Sequence, residues 1–463
     1  MDTHGIDTPH VRDHRKIDPT KIDPARPPRA GDAARERHGL RPDGTPDDND
    51  RVEIGPTALA FAEWEAAGLT APNLAAMRQY RLDRIVAKLH ERDLAGVFVT
   101  DPLNIRYATD CPNMQVWNTH NPFRACLVLA DGHMVVWDYK ATDLLTAHNP
   151  LVRETRGGAA MFYFSAGDLI PQIAVRIAGE VSALLREHVG DNRRIAVDKI
   201  QIEGLRALEA VGLSVSDGEE VMEKARAIKG PDEIRAMRCA SDACEKALYA
   251  MEATVAPGLT ENEVWAVLHA ENIKRGGEWI ETRLLSTGPR TNPWFQECGP
   301  RVMSAGEILA FDTDLVGVYG MCVDISRTWL VGDVDPTEEQ IRLYREAHAQ
   351  IVENAAILKP GMSFREVSHA GRALPEEFKP LRYGVKMHGV GLCDEWPHIN
   401  YPEDIKDGAF EYALEPGMML CVEAYIGAVG GKEGIKLEEQ VLITEDGYEN
   451  LTTYPYDRRL LGE

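Results

Sequence analysis

The sequence predicts a two-domain protein, with an N-terminal α/β domain followed by a mixed α+β domain. Its 463 residues exceed the size at which a single hydrophobic core usually stops growing. Helix-like and strand-like segments alternate in the first half, whereas the second half contains several strand-like segments that each carry acidic residues. We therefore expect a flexible N-terminal arm at 1–50, a first domain at 51–217 and a second domain at 218–463.

The arm and the first domain differ in composition. Residues 1–50 are rich in Pro, Asp and Arg and poor in large apolar side chains, so they cannot bury enough surface to order themselves. Beyond them, Asp131-Gly132 separates two apolar runs and is a dipeptide typical of type I′ hairpin turns. The predicted elements are a helix at 77–89, strands at 97–99, 125–130 and 133–137, a helix at 168–188 and a strand at 195–197.

The second domain begins after a boundary near 214–218. Thr260 and Glu263 form a capping box, which predicts the start of a helix at Thr260. The other predicted elements are helices at 232–251 and 338–358 and strands at 307–314, 321–328, 418–426 and 435–444.

Composition argues against several classes of function. Acidic residues outnumber basic ones by 74 to 51, and the net charge of −23 repels nucleic-acid phosphates and anionic lipids. No run reaches the roughly 18 apolar residues that a membrane-spanning helix requires. The first fifteen residues lack a secretory apolar run, and the eight cysteines include no CxxC pair. We expect a cytoplasmic protein with reduced thiols and no nucleic-acid or membrane partner.

Three aspartates in the second domain predict an acidic surface between two strands. Asp312 and Asp314 are two positions apart in an apolar strand, so both side chains point to the same face. After a turn at 317–320, one plausible register places Asp324 opposite Asp314. Like charges that face each other across strands destabilise a sheet unless a cation lies between them.

Two glutamates and a histidine extend this pattern. Glu423 and Glu438 each lie among apolar strand residues, where a buried carboxylate needs a partner or a metal. His388 is flanked by Gly389 and Gly391, which allow close backbone approach beside an imidazole ligand. Each residue alone has an ordinary structural explanation in a turn or a core. Together they form a mainly oxygen-donor set suited to two divalent cations.

The order of these residues resembles the metal ligands of the creatinase, aminopeptidase P and methionine aminopeptidase superfamily. Segments 228–238, 324–328 and 104–107 are similar to the superfamily's first catalytic-domain helix, second-ligand strand and N-terminal signature. The resemblance implies a creatinase-like α/β domain followed by a pita-bread metal-binding catalytic domain. The positions that match the ligands Asp, Asp, His, Glu, Glu are Asp314, Asp324, His388, Glu423 and Glu438.

The sequence also departs from the peptidases of that superfamily. They usually place the first two aspartates eleven positions apart, whereas Asp314 is ten and Asp312 twelve positions before Asp324. Asp312 is therefore an additional carboxylate. Two histidines that would hold the peptide carbonyl and leaving group are replaced, in Pro293-Trp294-Phe295 and in the segment 392–397. These departures argue against peptide hydrolysis.

Long blocks at 48–57, 117–124 and 276–283 resemble one branch, the dimethylsulfoniopropionate lyases of the DddP type. The resemblance extends from about Arg15 onward and implies a homodimer with a dinuclear, iron-type centre. It further implies cleavage of a small zwitterionic carboxylate, dimethylsulfoniopropionate, to dimethyl sulfide and acrylate. Asp394 would then be the base and Asp312 a sixth metal ligand.

This reaction fits the residues that the sequence retains. A Lewis-acidic metal can stabilise the charge formed when Asp394 removes a proton alpha to a carboxylate. The sulfide leaves as a neutral molecule and needs no acid, so histidines useful for amide cleavage become dispensable. Aromatic faces attract a sulfonium cation with about 0.5–2 kcal/mol, and the candidates are Trp294, Tyr383 and Trp396.

Two alternatives stay open. A metallo-aminopeptidase or Xaa-Pro dipeptidase could use the same ligands with a metal-bound hydroxide, and the missing histidines are the feature that discriminates against it. A non-catalytic pita-bread protein could bind a partner through its acidic surface, but such proteins commonly lose their metal ligands. The metal itself could be iron, manganese, cobalt or zinc, because oxygen-rich sites accept each of them.

Overall fold

The computed structural model describes residues 55–140, 142, 145–406 and 411–463. The arm expected at 1–50 lies outside these residues. Within the described part of the chain, no helix is both long enough and apolar enough to cross a membrane.

The first domain is built on a six-stranded sheet with the strand order β4-β3-β2-β1-β5-β6. Its strands are β1 (Gly96–Val99), β2 (Ala125–Leu129), β3 (Met134–Asp138), β4 (Val152–Gly157), β5 (Arg194–Val197) and β6 (Ser214–Asp217). The helices of this region are α1 (Ala58–Ala67), α2 (Leu74–Glu91), α3 (Pro102–Thr109), α4 (Gln115–His120), α5 (Tyr163–Ala166), α6 (Ile170–His188) and α7 (Ile202–Ala210). The sheet is mixed, because β1–β2–β3 pair antiparallel whereas the remaining pairs are parallel.

The hairpin between β2 and β3 forms as expected, but its turn is not of type I′. A type I′ turn needs positive φ at both central residues. Gly132 has φ 86, whereas Asp131 has no positive φ. The amide of Leu129 donates to the carbonyl oxygen of His133 at 2.9 Å, which leaves three residues in the loop instead of two. One glycine in the left-handed region is what such a loop requires.

The second domain consists of antiparallel strands covered by helices. One sheet has the order β11-β8-β7, a two-stranded ladder joins β9 to β10, and a five-stranded sheet has the order β13-β12-β14-β15-β16. The strands are β7 (Leu285–Thr287), β8 (Ile308–Asp312), β9 (Leu315–Val316), β10 (Cys322–Val323), β11 (Ser326–Leu330), β12 (Met387–Val390), β13 (Asp394–Ile399), β14 (Met419–Ile426), β15 (Ile435–Ile443) and β16 (Tyr448–Asn450). The helices are α8 (Glu219–Arg226), α9 (Pro231–Glu252), α10 (Glu261–Lys274), α11 (Glu338–Ala356), α12 (Phe364–Ala370) and α13 (Arg458–Leu461).

The strand register places Asp324 opposite Asp314, as the sequence predicts. Val323 pairs with Leu315 in one ladder, and Ser326 pairs with Asp312 in the next. Both ladders follow one register, which brings Asp314 and Asp324 together between them. The amide of Asp314 donates to Asp324 Oδ1 at 3.4 Å.

Buried Arg327 ties the two sheets of the second domain together. It lies on β11 and is fully buried. Its guanidinium donates to the carbonyl oxygen of Glu438 at 2.7 Å and to the carboxylate of Glu439 at 2.6 Å, both on β15. A buried guanidinium with several acceptors holds its partners in fixed positions. Arg327 therefore fixes the strand that follows Asp324 beside the strand that carries Glu438.

One hydrophobic cluster of buried side chains spans both domains. Trp64 of α1 is buried, and its indole donates to the carbonyl oxygen of Cys239 in α9 at 3.0 Å. Buried ion pairs join the domains as well, Arg81 with Glu233 at 2.8 Å and Arg106 with Glu278 at 2.9 Å. The expected division at 217–218 falls after the last strand of the first sheet, but the packing continues across it.

Candidate active site

Five carboxylates and one histidine converge between the two sheets of the second domain. All six side chains are buried. Their ligand atoms form overlapping groups in which the atoms lie within 4.8 Å of one another. The groups are Asp312 with Asp314 and Asp324, Asp312 with Glu423 and Glu438, and Asp324 with His388, Cys421 and Glu438. Because the groups share members, the arrangement could hold two neighbouring cations.

The aspartates are held by hydroxyl and amide groups. Asp314 has φ 37, a left-handed conformation that is uncommon for a residue other than glycine. Thr282 donates its hydroxyl hydrogen bond to Asp314 Oδ2, and Ser326 Oγ lies 2.6 Å from Asp312 Oδ1. The amide of Asp324 donates to Gln440 Oε1 at 3.2 Å. The carboxylate of Asp314 thus keeps its Oδ1 for another ligand.

The glutamates and the histidine come from the five-stranded sheet. Glu423 on β14 pairs directly with Glu438 on β15. His388 Nε2 lies 3.3 Å from Glu423 Oε1 and 3.6 Å from Glu438 Oε1. A protonated Nδ1 of His388 donates to the carbonyl oxygen of Gly389 at 3.0 Å, which leaves Nε2 free to act as a ligand.

The residues fit divalent cations. Both carboxylate oxygens of Glu423 and Oε1 of Glu438 are buried and accept no well-aligned hydrogen bond within the described part of the chain. Burial raises the pKa of Glu423 to about 8, although nearby Lys436 acts to lower it. Burial likewise raises the pKa of Asp312 to about 6. Bound cations would relieve this crowding of like charges, because an opposite charge favours the ionised carboxylates.

Lys436 is a member of the site that the sequence interpretation missed. Its side chain is fully buried, and its Nζ lies 2.9 Å from Asp312 Oδ2, 2.9 Å from Glu423 Oε2 and 3.0 Å from Glu438 Oε2. The signal that could have identified it is strand alternation, because Lys436 precedes Glu438 by two positions and shares its face.

Asp394 lies at the edge of the cluster. It begins β13 opposite Val390, its Oδ1 is 3.8 Å from His388 Nδ1, and its side chain is 47% exposed. The part of the Asp394 side chain that packs against the protein is removed from water, which raises the pKa of Asp394, whereas His388 acts to lower it. The residue combines access from solvent with contact to a predicted metal ligand.

The strand that carries Asp394 is anchored from its other face. The carboxylate of Glu395 is fully buried and pairs with Arg226 at 2.8 Å and with Lys229. Arg226 ends α8 and also contacts Asn104 of the first domain. A Cβ at Gly389 would overlap the carbonyl oxygen of Trp396, so glycine is required for this close approach of β12 and β13.

The three predicted aromatic residues occupy different surroundings. Tyr383 borders the cluster, with Lys436 Nζ 4.6 Å from its ring centroid. Trp294 is 5% exposed and lies 6.1 Å from Tyr425 in the hydrophobic cluster that Tyr383 also packs against. Trp396 instead packs against Phe364 of α12, 5.2 Å between ring centroids. The structure therefore places Tyr383 beside the cluster and Trp294 in the hydrophobic cluster that Tyr383 packs against, whereas Trp396 packs against a helix.

Phe295 is a further aromatic residue at this edge. Its ring stacks on Tyr383 with 5.2 Å between centroids and is 60% exposed. Its φ of 75 is unusual for a bulky residue. The ring of Tyr383 therefore contacts both the fully buried Lys436 and the exposed Phe295.

Comparisons with known families agree with this architecture. Residues 81–228 match the Creatinase/Prolidase N-terminal domain, and residues 235–445 match Metallopeptidase family M24. The Xaa-Pro dipeptidase from Bacillus anthracis has a TM-score of 0.66 at 20% identity. The match covers 82% of this chain and 99% of the dipeptidase chain. The prolidase from Pyrococcus furiosus has a TM-score of 0.61 at 20% identity, and the match covers 80% of this chain and 99% of the prolidase chain. The predicted fold, a creatinase-like domain followed by a pita-bread domain, is confirmed.

Two relatives are similar over almost the whole chain. The protein named dimethylsulfoniopropionate lyase DddP from Roseovarius nubinhibens is 57% identical over 458 residues, which is 98% of this chain and 99% of that protein. The protein of the same name from Roseobacter denitrificans is 56% identical over 447 residues, with coverage of 96% and 98%.

Replacing a predicted ligand should remove metal and activity together. We expect His388→Ala and Asp314→Asn each to weaken metal binding by at least about tenfold, since even residues that only orient ligands contribute that much. Metal per chain, measured by elemental analysis after dialysis, checks this. Glu445→Gln, at an exposed position, serves as the control. Wild-type metal content in either ligand variant would contradict the assignment.

Proposed function

The chain belongs to the family of the DddP dimethylsulfoniopropionate lyases, and we propose that it cleaves dimethylsulfoniopropionate at the carboxylate cluster. The products are dimethyl sulfide and acrylate. The observation that carries the proposal is the 57% identity over 98% of the chain with a protein of that name. The geometry supports it, because a solvent-accessible carboxylate lies beside a site suited to metal ions.

In the proposed reaction, Asp394 is the general base. Its carboxylate accepts the proton from the carbon alpha to the substrate carboxylate. The electron pair of that C–H bond forms the carbon–carbon double bond, and the C–S bond breaks with its pair on sulfur. Dimethyl sulfide leaves neutral, so no residue has to protonate it. A general base in this position contributes about 10²–10⁴-fold to the rate.

The proposed metal centre contains two divalent cations, with iron as the metal. The ligands would be Asp312, Asp314, Asp324, His388, Glu423 and Glu438. When bound, the cations supply the positive charge that stabilises the developing charge on the substrate carboxylate. Oxygen-rich coordination with one imidazole is compatible with iron, and elemental analysis of the native protein identifies the metal.

In the proposed complex, the sulfonium group of the substrate contacts the aromatic side chains that border the site. We assign it to Tyr383, because its ring contacts Lys436 within the carboxylate cluster, and to Trp294, because it lies in the hydrophobic cluster that Tyr383 packs against. Phe295 extends this aromatic surface towards solvent. Ring faces attract cations electrostatically, which distinguishes the sulfonium substrate from a neutral thioether.

We also propose a homodimer. Tyr163, Phe164 and Leu169 of the first domain are 71%, 79% and 60% exposed. Neighbouring apolar side chains with this much exposure are typical of interaction surfaces. The molar mass in solution tests the proposal against the 51.4 kDa chain.

The choice between lyase and peptidase is tested by assaying both activities in one preparation. Given dimethylsulfoniopropionate, iron-loaded enzyme should release dimethyl sulfide and acrylate in equal amounts. It should cleave Xaa-Pro dipeptides little, because the histidines that would serve amide cleavage are absent from 293–295 and 392–397. Headspace sulfide and liberated amino acid are measured in parallel. Amino acid without sulfide would favour the peptidase alternative and contradict the lyase proposal.

Removing the base should separate catalysis from metal binding. We expect Asp394→Asn to lower kcat by about 10²–10⁴-fold while fold and metal content stay at the wild-type level. Circular dichroism, elemental analysis and turnover check the three properties. Asp446→Asn, on an exposed turn, provides a matched control. Near-wild-type turnover in Asp394→Asn would exclude Asp394 as the base.

The aromatic contribution should appear mainly in substrate binding. Tyr383→Leu removes the ring, and we expect KM to rise roughly 2–30-fold, which corresponds to a cation–π contact of about 0.5–2 kcal/mol. Tyr383→Phe keeps the ring and should stay near the wild-type KM. Trp396→Leu is the second comparison, since that ring packs against Phe364. An unchanged KM in Tyr383→Leu would refute the assignment.

A further inference from the structure

Lys436 occupies an unusual position for a charged side chain. It is fully buried, and its ammonium contacts carboxylates from both sheets, Asp312 on one side and Glu423 and Glu438 on the other. Ser326 completes the arrangement, with its Oγ 2.8 Å from Lys436 Nζ. Burying a lysine is unfavourable unless the charge is paired, so this position indicates a specific electrostatic role.

The contacts of Lys436 select one oxygen of each glutamate. Lys436 pairs with Oε2 of both Glu423 and Glu438. The opposite oxygens, Oε1 of each, face His388 Nε2 at 3.3 and 3.6 Å. The lysine therefore orients two predicted ligands so that their remaining oxygens point towards the histidine.

The charges of the site balance when Lys436 is included. The five buried carboxylates carry five negative charges if all are ionised. Two divalent cations supply four positive charges, and Lys436 supplies the fifth. Without the lysine, the fifth carboxylate would be uncompensated in a buried pocket. Asp312 is the carboxylate that exceeds the ligand pattern Asp314, Asp324, His388, Glu423, Glu438, and it pairs directly with Lys436 at 2.9 Å.

We infer that Lys436 is the counter-ion of Asp312 and positions Glu423 and Glu438, so that the site accepts two divalent cations without excess charge. Lys436 is thus a positioning residue for the metal centre. The inference rests on the proposed metal site but not on the proposed substrate. It is therefore tested by measuring metal content and stability. Absence of lyase activity would contradict the proposed function but not this inference.

The test compares Lys436→Met, Asp312→Asn and the double variant in the full-length protein, with and without chelator treatment. In chelator-treated protein, Lys436→Met should lower the thermal midpoint by about 10 °C, because breaking a buried ion pair leaves uncompensated charge. In metal-loaded protein the loss should be smaller, since the cations neutralise the same carboxylates. Adding Asp312→Asn should recover most of the loss, because one negative charge is removed with the positive one.

Metal stoichiometry provides the second readout. Asp312→Asn alone leaves Lys436 as an excess positive charge and should weaken binding of the second cation. Adding Lys436→Met to Asp312→Asn should restore part of the binding of the second cation. If Lys436 only filled space, its replacement would not restore that binding. Elemental analysis and cobalt titration measure the number of bound ions.

Lys386→Met is the matched control. Lys386 is also buried, but its Nζ donates to the carbonyl oxygen of Ser368 at 3.1 Å. Its replacement should cost the same stability with and without metal and should be additive with Asp312→Asn. Additive effects for Lys436→Met, or an equal loss in both metal states, would overturn the inference. If Lys436→Met does not fold, recovery of soluble protein in the double variant supports the inference, and failure of that recovery contradicts it.

Discussion

The crowding of five carboxylates in one buried pocket is the constraint on which the rest of the second domain depends. Burial and like-charge repulsion both oppose ionisation, so every surrounding element has to supply positive charge or hydrogen bonds. Ser326 and Thr282 supply hydroxyls, Lys436 supplies an ammonium, and buried Arg327 prevents the two sheets from moving apart. These groups offset part of the negative charge, and bound cations would offset the rest.

Strand register accounts for part of what the sequence predicted about this pocket. The antiparallel register placed Asp324 opposite Asp314. Alternation, by which side chains two positions apart share a face, holds only within a strand. Because β8 ends at Asp312 and Asp314 lies beyond it with φ 37, the predicted unbroken strand at 307–314 was wrong. Alternation within β15 would have placed Lys436 beside Glu438. It was missed because the sequence interpretation considered only residue types that bind cations, whereas a crowded acidic site also needs a fixed positive charge.

What the sequence did not predict depends on packing between distant segments. Trp396 is two positions after Asp394, yet a β-bulge interrupts the pairing of β12 with β13, so that Gly389 pairs with Glu395 while His388 pairs with His398. Trp396 lies within this interruption and packs against α12. The division into an α/β and an α+β domain and most helices and strands were accessible from periodicity, because those signals are local. The creatinase-like and pita-bread assignment came from the resemblance of the ligand order to a known superfamily.

The anchoring of Glu395 has a consequence for how this architecture can be rearranged. Asp394 is held by its neighbour Glu395, which pairs with Arg226 at the end of α8. That helix is in turn fastened to the first domain, where Tyr107 donates to the carbonyl oxygen of Ala225 at 3.0 Å. The two domains are therefore not interchangeable modules. A chimera that grafts this second domain onto another N-terminal domain would inherit the predicted metal ligands but lose the alignment of Asp394, the proposed base.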